Sequence, residues 1–84
     1  MEIEKKVREL IETVINEKGY RLDEVIYTKE DGLYFLRIVI DKDGIVDVDD
    51  CVIVNKLINP ILDEKDPIDT NYILDVCSKE KGCE

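Results

Sequence analysis

The chain has 84 residues, with 12 basic and 21 acidic side chains, a net charge of -9 and no histidine. That length suits one domain burying roughly 60% of the surface its unfolded chain exposes, and a 44% hydrophobic share set in periodic patterns excludes wholesale disorder. The carboxylate excess opposes binding to phosphate backbones, which are held by Lys and Arg, and no apolar run reaches the ~20 residues of a membrane span, so a cytoplasmic chain with a basic protein partner is expected.

Residues 3–17 form the first helix. Ile3, Val7, Leu10, Ile11, Val14 and Ile15 recur at spacings of three and four on one face, and Glu4–Arg8, Lys5–Glu9 and Arg8–Glu12 pair opposite charges on the other. Gly19 supplies a left-handed stop. Two strands follow, at 21–28 with Leu22, Val25, Ile26 and Tyr27, and at 33–41, rich in β-branched and aromatic residues. Lys29-Glu30-Asp31-Gly32 between them reads as a hairpin turn. Alternation in the second strand puts Tyr34, Leu36, Ile38 and Ile40 toward the helices. It leaves Leu33, Phe35, Arg37 and Val39 on the other face as a candidate contact surface.

The acidic run 41–50 leads into a second helix ending near Leu62, whose buried face is read as Val48, Cys51, Val52, Asn55, Ile58, Ile61 and Leu62. Asp47 fits the N-cap, with Asp49 and Asp50 in the first turn near the positive end of the helix dipole. Pro60 lacks an N–H and crowds the carbonyl four residues back, so a kink or early stop is expected there. After a polar turn at 63–67, residues 71–77 form a third strand, with Tyr72, Leu74 and Val76 on one face and Ile73, Asp75 and Cys77 on the other. Residues 1–78 thus make one α+β domain followed by a polar tail, 79–84. The order α-β-β-α-β gives a two-layer sandwich, a three-stranded sheet with two helices on one face. The right-handed crossover makes the third strand parallel to the second.

Chemistry-bearing motifs are few. An EF-hand loop starting at Asp41 would need Gly and Glu where Val46 and Val52 stand, so no metal site is expected. No His is present, the only Ser is Ser78, and the four glycines, at 19, 32, 44 and 82, are isolated, which leaves neither a nucleophile–base pair nor a phosphate loop. Neither an enzyme nor a cofactor is expected. Cys51 and Cys77 read as small buried hydrophobes and Cys83 as an exposed residue near the end, with a Cys77–Cys83 disulfide disfavoured in a cytosolic chain. The element order is similar to RNA-binding KH modules, but their Gly-X-X-Gly clamp is missing, so direct nucleic-acid binding is expected to be weak or secondary.

Gly19 to Leu22, the run Leu36 to Asp41, Gly44, Asp49-Asp50-Cys51 and Tyr72 to Val76 fall in the order and spacing of a known family. Over residues 3–78 the chain resembles the N-terminal domain of the ribosome maturation factor RimP. That resemblance implies a KH-like fold without the RNA clamp and an assembly cofactor for the small ribosomal subunit, with the subunit or one of its basic proteins as partner. A KH-like RNA binder and an acidic interaction domain unrelated to ribosomes stand as alternatives. The family continues with Ser-Ser-Pro-Gly and a second, SH3-like barrel. Here the corresponding stretch runs from Cys77 to Glu84 with one matching Ser, so an excised domain or a single-domain relative is expected. The expected partner-binding residues are Phe35, Arg37, Val39, Ile73 and Asp75 on the uncovered sheet face, with Asp41, Asp43, Asp49 and Asp50 beside it.

Overall fold

Val7, Ile11 and Ile15 are fully buried along one side of the first helix, α1 (Glu2–Glu17), in a computed structural model that describes residues 2–68 and 70–79. The helix ends in a Schellman motif. Gly19, at φ 90°, donates its N–H to the Asn16 carbonyl, and Tyr20 donates to that of Ile15. The motif turns Tyr20 back into the core, where it is buried.

β1 (Arg21–Glu30) and β2 (Leu33–Asp41) pair antiparallel around a two-residue loop. Asp31 and Gly32 both have positive φ, 51° and 82°, the backbone twist that suits a tight hairpin. Asp23 is the extra residue of a bulge between the Leu22–Ile40 and Glu24–Val39 pairs. That insertion explains why Leu22 and Val25, three apart, are both buried on the helix side.

After α2 (Val48–Lys65), β3 (Ile73–Ser78) lies parallel to β2, and the sheet order is β1-β2-β3. The expected α-β-β-α-β sandwich is the observed one. Leu36, Ile38 and Ile40 of β2 are fully buried against Val7, Ile11 and Ile15 of α1 and Val54, Ile58 and Leu62 of α2, with Val46 and Ile68 completing the core. Each such aliphatic side chain contributes about 1.5–3 kcal/mol by leaving water.

Three expectations are corrected. The buried side of α2 is Asp50, Val54, Ile58 and Leu62, while Val48 and Val52, expected inside, are 75% and 45% exposed. This helix carries apolar residues nearly all round, so periodicity could not select the inward stripe. Second, of the kink or early stop expected at Pro60, the early stop does not occur: α2 runs on to Lys65 and is capped by Asp66 at φ 44°, whose N–H donates to the Leu62 carbonyl at 2.8 Å. Pro60 and Lys56 are both exposed, so the Lys56 carbonyl that loses its helical donor stands on the solvent side. Third, Cys77 is 2% exposed as expected, but it is disulfide-bonded rather than a thiol. The composition argument bears on compartment and not on geometry; Cys83 lies outside the described residues.

Candidate functional site

The face of the sheet away from the helices is covered by no described element. The parallel register sets Phe35 beside Ile73, Arg37 beside Asp75 and Val39 beside Cys77, so the five residues expected on this face do come together. Ile73 is 46% exposed; Phe35, Val39, Arg37 and Asp75 are half-buried. The paired charge of Arg37 and Asp75 sits in the middle of the patch, between the Phe35–Ile73 and Val39–Cys77 pairs. The Arg37 guanidinium lies 5.2 Å from the centre of the Phe35 ring, and its Nη2 donates to Glu30 Oε1 at 2.7 Å. That hydrogen bond, with the Glu30 and Asp75 charges, raises the Arg37 pKa against the cost of desolvation. Arg37 Nε is buried without an acceptor among the described residues, Asp75 Oδ2 standing 3.8 Å away as an ion-pair partner.

Asp41 continues the same alternation at the end of β2, and Arg21, its partner across the hairpin, joins it to Asp43. Arg21 Nη2 donates to Asp41 Oδ2 at 3.0 Å and Nη1 to Asp43 Oδ1 at 3.1 Å. The Arg21 hydrogen bond holds the Asp41 carboxyl below its ordinary pKa. These two carboxylates form a rim beside the open face, and Asp49, in the first turn of α2, is exposed nearby in sequence.

Asp50 is placed differently from its sister residues. It is 8% exposed and forms a capping box with Asp47: the Asp50 N–H donates to Asp47 Oδ1, and the Asp47 N–H donates to Asp50 Oδ2, each at 3.0 Å. The Tyr20 hydroxyl donates to Asp50 Oδ1 at 2.5 Å, and Lys42 Nζ lies 2.9 Å from Oδ2 and 5.8 Å from the Tyr20 ring centre. The Tyr20 hydrogen bond, then the Asp47 N–H and Lys42, hold the Asp50 carboxyl well below the usual carboxylate range. The same bond, with burial and the Asp50 charge, pushes the Tyr20 hydroxyl up to about 12. The Asp50 carboxylate is thus a joint inside the fold, and the contact surface rests on the other candidates.

The sequence reading missed Glu30 and Ile26, which join the face from β1. Ile26 is the register partner of Arg37. A two-residue loop at Asp31-Gly32 fixes that pairing, and placing the turn at 29–32 had ended the strand short of Glu30. Two of the remaining aromatics are engaged with each other: Tyr27 and Tyr34 stack at 5.4 Å between ring centres. No group of metal-ligating side chains occurs among the described residues. No described helix is long and apolar enough to cross a membrane.

The family model of the RimP N-terminal domain matches residues 10–79. The matched span takes in the second half of α1, the whole sheet, α2 and the open face with its acidic rim. The chain therefore belongs to the RimP N-terminal domain family, a family of ribosome maturation factors.

Proposed function

We propose that this domain acts in maturation of the small ribosomal subunit, in the cytoplasm and by binding rather than catalysis, holding a basic protein component against its open sheet face and acidic rim. One observation favours protein over RNA. All three arginines of the chain, Arg8, Arg21 and Arg37, are ion-paired to its own carboxylates. A phosphate backbone would have to displace those carboxylates and approach a chain of net charge -9, whereas a Lys- or Arg-rich protein is drawn to that charge and to the exposed Asp43 and Asp49. Phe35 and Ile73 supply the apolar centre that such an interface needs.

Affinity measured against salt separates the two partner classes. Purified small-subunit proteins and naked small-subunit RNA are titrated with the chain between about 50 and 200 mM salt. The reading expects one or more of the basic proteins to bind with a shallow salt slope. Binding to RNA alone, with a steep loss as salt rises, contradicts it.

A further inference from the structure

The two edges of the sheet are finished differently. Along β1, side chains of α1 take up three backbone groups: the Tyr27 N–H donates to Glu4 Oε2 at 2.9 Å, and Arg8 donates to the Leu22 and Asp23 carbonyls at 3.2 and 3.1 Å. The bulge at Asp23 adds a local twist, so this edge is a poorer template for a further strand. β3 is the other edge, and β2 is its only strand neighbour among the described residues. The Lys79 N–H donates to the Ile40 carbonyl at 2.9 Å. Because alternate residues of a parallel ladder face the neighbour, the backbone groups of Leu74 and Val76 point outward.

Beside that edge lies a groove of about 400 Å³, walled by Val48, Cys51 and Val52 of α2 and by Leu74 and Val76 of β3, with Asn55 and Lys56 also in its lining. Its outer wall is the pair of valines that the observed rotation of α2 turns out of the core. Leu74 also borders a second hollow of about 680 Å³, lined by Asn59, Asp63, Asp66, Asn71 and Tyr72. Burial and the charges of Asp63 and Asp66 raise the Tyr72 pKa, a sign of the negative potential at this end. An apolar trough, beside a strand edge with no further strand partner among the described residues, thus runs into an acidic end.

We propose that the β3 edge takes up an extended segment of a partner protein as an added strand, with apolar side chains against Val48 and Val52 and a Lys or Arg seated at Asp63 and Asp66. The partner's basic character rests on the functional reading above; the strand mode rests on the uncapped edge and its groove. A second copy of this chain fits less well, since each copy carries a charge of -9 and would bring another Asp75 to the seam.

The test uses the full chain and a fluorescent synthetic peptide of alternating valine and threonine closed by a pair of arginines, followed by anisotropy. Saturable binding is expected. Methylating alternate peptide amides, replacing the arginines by glutamates, or substituting Val52→Lys or Asp63→Lys in the protein should each weaken it about tenfold or more. Lys5→Ala, on the exposed side of α1 and away from both the groove and the open face, should leave it unchanged. Circular dichroism and melting confirm that the two groove variants fold, and the exposed position of Val52 and Asp63 favours this. Undiminished binding of the methylated peptide, or to Val52→Lys, overturns the proposal. So does a self-association by sedimentation velocity that Val52→Lys abolishes, or capture at the same groove of a single-stranded oligonucleotide in place of the peptide. Peptide binding without any co-sedimentation with small subunits refutes the ribosomal reading and supports the edge site. Co-sedimentation with no peptide binding refutes the edge site alone.

Discussion

The Tyr20 hydroxyl donates to Asp50 Oδ1 at 2.5 Å, tying the residue that follows the glycine stop of α1 to the first turn of α2. The bond fixes how α2 is rotated about its axis. With Asp50 drawn inward, Val54, Ile58 and Leu62 follow at intervals of four and fill the core, and Val48 and Val52 are left outside. A buried polar contact thereby decides which side of an almost uniformly apolar helix faces the sheet.

Tyr20→Phe keeps the ring in the core and removes only the hydroxyl. Hydrogen bonds to charged groups are worth roughly 1.5–3 kcal/mol, and a loss in that range is expected in urea denaturation. An unchanged midpoint would show that the capping box and Lys42 suffice to orient α2.

The pH dependence follows from the same pair. The Asp50 carboxyl titrates lower in the folded chain than its ordinary ~3.9, so the unfolded chain takes up the proton first as pH falls. Its contribution is complete above that value and is lost on acidification below it, and Asp41, lowered by Arg21, acts in the same direction. Tyr20 is raised to about 12, so the unfolded chain loses its proton first on the alkaline side. That contribution is lost between the ordinary tyrosine pKa of about 10 and the folded one. Melting temperature against pH should decline in both windows for the parent and more shallowly for Tyr20→Phe. Parallel curves for the two proteins would exclude this coupling.

Neighbouring aspartates in one turn should behave unlike one another. Asp47→Ala removes the N-cap and should cost about 1 kcal/mol of stability. Asp49→Ala, at an exposed position, should stay within about 0.5 kcal/mol of the parent. Asp50→Ala should lower stability more than it lowers partner affinity. Thermal melts with paired affinity measurements check all three, and equal melting of Asp49→Ala and Asp47→Ala would undo the capping assignment.

Pro60 sits inside α2 on an exposed side, where it withholds a donor from the Lys56 carbonyl. Pro60→Ala should therefore stabilise the domain, by up to about 3 kcal/mol, the cost of proline in a helix interior. Destabilisation would mean that the chain depends on a bend at this position.

The sheet was readable because β2 alternates cleanly: Leu36, Ile38 and Ile40 have one possible inward face, and a crossover helix makes β3 parallel. The open face followed from the same alternation, but the register that sets Phe35 beside Ile73 and Arg37 beside Asp75 is visible only in the structure. The rotation of α2 was not readable, because it is set by a contact between residues thirty positions apart, Tyr20 and Asp50. Reading Asp50 as a surface carboxylate was the natural consequence of its place in an acidic run. Glu30 was missed for a local reason, a turn shorter by two residues than assumed. The Cys77 disulfide was beyond an argument from compartment.

The central claim is that the open sheet face holds a component of the small ribosomal subunit, and Phe35 is its apolar anchor beneath Arg37. Co-sedimentation of the full chain with purified free small subunits tests it most directly, comparing the parent with Phe35→Ala below the melting temperature of both. Loss of an interface anchor should weaken binding by about 1–2 kcal/mol, roughly five- to thirtyfold, with both proteins folded. Equal retention of the two proteins on the subunit would contradict the claim and move the functional surface elsewhere on the domain.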